Sequence, residues 1–289
     1  MQQILHTAVA LLRQRLVQRA KRSRRMTRSV RHHSALFLSD LHLGALGSRA
    51  DLILSFLQHN HANTYFLVGD VLDLWQPLLP HWTEDAQRVV DHLRDRQTAG
   101  AVIHYLRGNH DPDPTLAPAP KHLAVAAVDH VIHEAGDQRR YLVLHGDIAD
   151  ARMVRSHTMT RLGSRIDHML RLLDRGLSVL RRGTSAEARS TIEALLAGVN
   201  SLLYRGRKHE RHLVEMARQH GVHGVICGHF HIAGLHDDHG LTYANCGDWL
   251  DSMTALAEHS DGSLRLLSWR PVAAAISTGM ASQDLEGAA

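Results

Sequence analysis

The stretch Ala35-Leu36-Phe37-Leu38-Ser39-Asp40-Leu41-His42 decides how this chain is read. Its first half is a short apolar run, and the spacing predicts a strand over Ala35–Ser39. The run ends on an acid and an imidazole two positions apart, and a turn just past a strand aims both side chains at one point. Working outward, the same arrangement recurs four times. Gly69-Asp70-Val-Leu-Asp73 follows an apolar run at Tyr65–Val68, and Gly108-Asn109-His110-Asp111 follows Ala101–Leu106. His145-Gly146-Asp147 follows Tyr141–Leu144, and Gly228-His229-Phe230-His231 follows Gly224–Cys227. Helical periodicity at Ala50–His59 and Thr83–Gln97 separates the first strands, which is the rhythm of an α/β domain. Strands at His130–Glu134 and Tyr141–Leu144 read as an antiparallel pair turning at Gly136-Asp137. Further strands fall at Leu241–Asn245, Met253–Glu258 and Leu264–Trp269. In open α/β sheets ligands gather outside the carboxyl ends of strands, so the five motifs are expected to share one site.

Carboxylate, imidazole and amide oxygen together suit a centre with two divalent ions: manganese first, with iron, zinc or magnesium fitting the same donors. Glycines at 69, 108, 146 and 228 permit tight turns and close backbone approach. Asp-x-His alone is a weak signal, and all five motifs in order, each after an apolar run, are a strong one.

Composition narrows the classes further. The chain has 289 residues, 44% hydrophobic and 21% charged, which excludes a disordered polymer. No uninterrupted apolar run reaches the ~18 residues a membrane helix needs. Cys227 and Cys246 cannot build a disulfide framework or a four-cysteine zinc site, and a reducing cytoplasm is expected. The 25 histidines against 13 aromatics are the unusual feature, because imidazole is the commonest transition-metal ligand. Charge is unevenly spread: residues 1–33 hold nine Lys/Arg and no acid, and residues 151–212 hold thirteen against five acids. Elsewhere 24 acids face 11 Lys/Arg, so an acidic body carries two basic segments.

The chain divides into three regions: a basic tail or amphipathic helix at 1–33, a catalytic domain at 34–270, and a loose tail at 271–289. Within the domain, leucines at helical spacing among arginines predict a helical insertion at about 151–220. The tail at 1–33 suits the inner face of an anionic membrane, giving a cytoplasmic protein with peripheral attachment.

The five motifs, read together from Asp40 to His231, resemble the calcineurin-like metallophosphoesterase superfamily, whose pattern runs D-x-H, GD-x-x-D, GNH(D/E), a later His and GH-x-H. The resemblance implies an α/β fold, a four-layer αββα sandwich of two mixed β-sheets. It implies that Asp40, His42 and His231 bind one metal, that Asn109, His145 and His229 bind the other, and that Asp70 bridges them. It also implies that His110 takes the place of the histidine that protonates the leaving oxygen or stabilises charge at the phosphoryl group. Asp73 is expected to orient a ligand from behind or to cap the next turn. Asp111 and Asp147 read as turn and supporting groups. Such an ion pair neutralises phosphoryl oxygens and acidifies an attacking water.

Within the superfamily, Phe37-Leu-Ser-Asp-Leu-His-Leu-Gly44, Leu67-Val-Gly-Asp-Val-Leu-Asp-Leu-Trp75 and Asn245-Cys-Gly-Asp-Trp249 resemble the UDP-2,3-diacylglucosamine diphosphatase group. That implies hydrolysis of a nucleotide-linked lipid pyrophosphate to UMP and 2,3-diacylglucosamine 1-phosphate in lipid A synthesis. Arg152, Arg155 and Arg161 are then candidate substrate contacts, with leucine-rich helical faces for the acyl chains. The chain departs from that group at His110, where GNRD is the usual run, and at Pro112-Asp113-Pro114. This points to a sister branch, and a phosphodiesterase acting on cyclic nucleotides or nucleic acid is the alternative. Few aromatics for base stacking weigh against nucleic acid. A non-catalytic membrane or protein adaptor would have lost metal-pattern residues, and none is missing.

Overall fold

A computed structural model describes residues 30–74, 81–111, 115, 117–118, 121, 123–149 and 207–269. Most of the predicted tails (1–29 and 270–289), and the part of the insertion predicted at about 151–220 that runs up to residue 206, with Arg152, Arg155 and Arg161, lie outside the described residues. Chain contacts divide the protein into Met1–Arg31 and His32–Ala289, and the second unit holds the helices and the strands from His32 onward.

Eleven described strands form two sheets. The six-stranded sheet has the order β11-β10-β1-β2-β3-β4, from β1 (Arg31–Leu38), β2 (Asn60–Val68), β3 (Val102–Leu106), β4 (Ala127–Val128), β10 (Thr254–Glu258) and β11 (Leu264–Ser268). The five-stranded sheet has the order β5-β6-β7-β9-β8, from β5 (His130–Glu134), β6 (Arg140–Leu144), β7 (Gly224–Cys227), β8 (Gly234–His236) and β9 (Thr242–Asn245). Both are mixed. β2, β3 and β4 run parallel while β1–β10 and β10–β11 are antiparallel. In the second sheet β6, β7 and β9 run parallel, with β5 and β8 antiparallel at the edges.

The alternation of side chains along each strand builds the layers. Leu36 and Leu38 of β1 face the helices α1 (Ala50–His59) and α2 (Glu84–Thr98), whereas Ala35 and Phe37 face the other sheet. β2 repeats this, with Tyr65 and Leu67 on the helix side and Phe66 and Val68 on the sheet side. In β6, Tyr141 and Val143 meet that inner layer, while Leu142 and Leu144 turn to α3 (Lys208–Gln219). The result is the expected order of helix, sheet, sheet, helix. α2 shows why these helices dock: Ala86, Val89, Val90 and Leu93 make one buried stripe at helical spacing. Thr83 caps it, its hydroxyl accepting from the Ala86 N–H at 3.1 Å.

Between the sheets Phe37 and Phe66 stack with ring centres 4.6 Å apart. One polar contact crosses beside them, His133 Nε2 meeting Glu258 Oε2 at 2.5 Å while the Gly136 N–H donates to Glu258 Oε1 at 2.9 Å. The helix predicted over Ala50–His59 is observed with those bounds, and β2 starts directly after it at Asn60, five residues before the predicted start. β4 and β8, two and three residues long, carry too few side chains to show a period.

Phe37 should therefore hold the two sheets together. Phe37→Ala is expected to lower stability by about 3–5 kcal/mol, measured by urea unfolding. A loss under about 1 kcal/mol would mean that the inner layer repacks freely.

Candidate functional site

Each predicted motif begins at or just beyond the end of its strand. Asp40 and His42 follow β1, Asp70 follows β2, Asn109 and His110 follow β3, His145 follows β6, and His229 and His231 follow β7. The six-stranded sheet thus supplies the carboxylates, and the five-stranded sheet supplies three imidazoles. Asp40, His42, Asp70, His229 and His231 all take left-handed backbone conformations, with φ between 45° and 69°. Such conformations cost on the order of 1–3 kcal/mol each in non-glycine residues and gather at functional sites. Loop-to-loop hydrogen bonds hold them: Asp40 N–H to Gly69 O at 3.1 Å, His42 N–H to Asp70 O at 2.9 Å, and Gly228 N–H to His145 O at 2.9 Å. The loops also need glycine. A Cβ on Gly228 would lie 1.6 Å from Ser39 Oγ, and one on Gly108 would lie 2.2 Å from Asp70 Oδ1.

The carboxylates share one design. Asp40 Oδ2 accepts from Ser39 Oγ at 2.5 Å and from the His229 N–H at 2.8 Å. Its other oxygen, Oδ1, is buried and makes no hydrogen bond, although His231 Nε2 lies 3.2 Å and His42 Nε2 3.8 Å away. Asp70 Oδ1 accepts from the His110 N–H at 2.8 Å. Asp70 Oδ2 faces His145 Nε2 at 3.4 Å and both His42 Nε2 and His110 Nε2 at 3.9 Å. One oxygen of each acid is fixed by the chain and the other is turned into a shared space.

His145 shows what that space requires. Its Nδ1 donates to the Val68 carbonyl at 2.9 Å, so in a neutral ring Nε2 carries a lone pair. That lone pair points at Asn109 Oδ1, 3.2 Å away, and at Asp70 Oδ2. Acceptors facing acceptors are reconciled only by a proton or a cation. His42 Nε2 is likewise buried without a hydrogen bond. Among the described residues, three sets bring their donor atoms within 4.8 Å of one another: Asp40, His42 and His231; His42, Asp70 and His110; and Asp70, His145 and His229. These oxygen and nitrogen donors, partly orphaned and converging, fit divalent cations.

Without cations, protons do the neutralising. Burial works against charge on Asp40, but His231 and His145 outweigh it and hold the carboxyl well below its usual range. Burial likewise opposes ionisation of Asp70, and His145 and His110 outweigh it. Burial alone would lower the imidazoles; Asp40 instead raises His231 to about 9, and Asp70 raises His145 well above its ordinary value. His110 also rises to about 9, against its burial, through Asp70 and Asp73.

Asp73 lies behind two of the rings, its Oδ2 3.4 Å from His42 Nδ1 and its Oδ1 3.3 Å from His110 Nδ1. Of its two expected roles, orienting a neighbouring side chain is the one this geometry matches. Asp147 opens a short 3-10 turn, Asp147–Ala149, after His145. Sequence reasoning assigned no role to Ser39, to Tyr105 or to the 245–249 loop. Asn245 Nδ2 donates to the Gly228 carbonyl at 2.9 Å, and the Trp249 N–H donates to the Asp40 carbonyl at 3.1 Å, so that loop ties two motifs together. The signal was the run Asn245-Cys-Gly-Asp-Trp249 itself, which shows a loop but not its partners.

Comparisons with known proteins agree with this geometry. The chain is 24% identical over 225 residues to UDP-2,3-diacylglucosamine hydrolase of Chromohalobacter salexigens, covering 71% of this chain and 82% of that one. Among solved structures it is similar to vacuolar protein sorting 29 of Cryptosporidium parvum, at 11% identity and a TM-score of 0.36, covering 81% and 94% of the two chains. It is also similar to phosphopantetheinyl hydrolase of Mycobacterium tuberculosis, at 12% identity and a TM-score of 0.36, covering 84% and 98%. Likeness at that score carries no argument about activity. The family description "calcineurin-like phosphoesterase" matches residues 33–233, which include every motif from Asp40 to His231. The chain belongs to the calcineurin-like phosphoesterase family and is a metal-dependent phosphoester hydrolase.

Proposed function

We propose that this phosphoesterase works with two divalent cations and cleaves the pyrophosphate of a nucleotide-linked diacyl sugar, releasing UMP and a sugar-lipid phosphate. The observation that carries the two-ion reading is the convergence of donor atoms: buried Asp40 Oδ1, without a hydrogen bond, faces His231 Nε2 at 3.2 Å, and Asp70 Oδ2 faces His145 Nε2 at 3.4 Å. In this reading Asp40, His42 and His231 hold one ion, Asn109, His145 and His229 hold the other, and Asp70 lies between them. Divalent ions there supply positive charge for phosphoryl oxygens and acidify water, manganese being the first choice.

The chain's own residues do the rest. The fixed carboxylate oxygens and the Val68-bonded His145 keep the donor atoms preset, so little reorganisation accompanies binding. His110, beside Asn109 and with its Nε2 on the side of Asp70 Oδ2, is the proposed donor of a proton to the leaving oxygen. Asp73 holds that ring through Nδ1. Support for the lipid substrate comes from the curated relative, whose name describes a UDP-2,3-diacylglucosamine hydrolase. Arg152, Arg155 and Arg161 are the proposed contacts to the pyrophosphate. No helix among the described residues is long and apolar enough to cross a membrane. Attachment of the basic residues 1–33 to an anionic inner-membrane surface is part of the proposal.

Turnover assays with Mn2+ should show a higher kcat/KM for UDP-2,3-diacylglucosamine than for cyclic nucleotides or single-stranded DNA. Preferential cleavage of DNA or a cyclic nucleotide would replace the lipid reading. Asp70→Ala is expected to lower kcat/KM by roughly a thousandfold, about 4 kcal/mol, with the fold intact by circular dichroism. Activity within tenfold of wild type would reject Asp70 as the bridge.

Metal uptake should release protons, because His145 and His231 are protonated in the metal-free site and bind cations only when neutral. Mn2+ affinity should then rise from pH 6 to pH 9, seen by titration calorimetry in buffers of different ionisation enthalpy. The raised His231 likewise stabilises the metal-free protein below its ordinary value of 6.5, and that contribution is lost as pH rises through about 9. Uptake without proton release, at an affinity independent of pH, would contradict this.

A further inference from the structure

Asp111 and Tyr105 are buried beneath the site and fall outside the proposed metal set. Asp111 has no exposed surface, and its carboxylate accepts five hydrogen bonds, all from neutral donors. Oδ1 takes the Asp70 N–H at 3.1 Å and the Gly108 N–H at 3.0 Å. Oδ2 takes the Val71 N–H at 2.7 Å, the Leu72 N–H at 3.3 Å and the Tyr105 hydroxyl at 2.5 Å. Three of these donors are consecutive amides of the turn that carries Asp70. Together they form a concavity of backbone N–H groups closed by one anion.

That turn is under constraint, because Asp70 has a φ of 51°. The 108–111 loop grips it twice: the His110 N–H fixes the side chain through Oδ1, and Asp111 fixes the backbone. Tyr105, at 0% exposure on β3, packs among apolar residues where Phe would fill almost the same volume. Its hydroxyl adds to that packing a bond to Asp111. A carboxylate with no exposed surface needs every donor, and Asp111 has five.

We propose that Tyr105 and Asp111 are a positioning pair: they set the backbone of the Asp70 turn and so aim Asp70 Oδ2 into the space between the imidazoles. Neither residue is among the proposed metal ligands, and both act through Asp70. The proposal rests on the two-ion reading given above and adds to it the device that holds the bridging acid. Substitutions behind metal ligands typically cost ten- to a hundredfold in metal affinity.

The test is calorimetric titration of the full chain with Mn2+, alongside thermal unfolding of the metal-free proteins. Tyr105→Phe should unfold cooperatively and bind Mn2+ roughly tenfold more weakly than wild type. Asp111→Asn, which turns an amide N–H toward backbone N–H groups, should weaken it roughly a hundredfold. Val90→Ala, a core truncation in α2 that leaves this loop alone, should destabilise the fold but keep Mn2+ affinity within about twofold. Wild-type affinity in Tyr105→Phe would overturn the pair while leaving the metal centre standing. Equal weakening by Val90→Ala would reduce the effect to general stability and overturn it too. A wild-type chain that takes up no Mn2+ would instead remove the two-ion reading, and the proposal with it.

Discussion

Among the described residues Asp40, Asp70, Asp73 and Asp111, together with Asp248 beside them, are buried at one end of the two sheets, and that concentration of carboxylates governs the site. An isolated ionised carboxylate in a protein interior is expensive, so each must be answered. Asp111 is answered by five neutral donors, and Asp73 faces two imidazoles at 3.3–3.4 Å. Asp40 and Asp70 each have one oxygen fixed by hydroxyl or backbone donors, and their second oxygens face imidazole nitrogens and call for positive charge from protons or from cations. The strained turns, the glycines without room for a side chain and the shared hydrogen bonds between loops are the cost of holding that arrangement.

The fold supplies the rigidity. Donors come from the ends of β1, β2 and β3 in one sheet and of β6 and β7 in the other, so their spacing depends on how the sheets pack. The layer containing Phe37, Phe66, Val143 and Ile226 sets that distance. The His133–Glu258 contact spans the same gap at its polar margin. The alternation of helix-facing and sheet-facing apolar residues along β1 and β2 therefore has a direct consequence for the chemistry at their tips.

Much of this was legible in the sequence, for identifiable reasons. An apolar run ending in Asp, His or Gly marks both a strand and its functional tip, and so Asp40, Asp70 and His145 could be placed at strand ends. Residues 83–97 showed helical spacing, and the helix over 84–98 was read to within a residue at each end, although the capping role of Thr83 was not. The order of strands could not be read, because β1 pairs with β10 across some 220 residues and no local pattern records it. Tyr105 escaped notice because a tyrosine inside an apolar strand looks like core until its hydroxyl is seen to meet Asp111. The left-handed conformations of Asp40, His42, Asp70, His229 and His231 were equally hidden, since residue type alone favours the ordinary region there.

The central claim is that two cations occupy this pocket together. Anomalous diffraction from crystals grown with Mn2+ tests it most directly. The account predicts two strong peaks, one bounded by Asp40, His42 and His231 and one by Asn109, His145 and His229, with Asp70 between them. A single peak, or peaks away from these side chains, would contradict it.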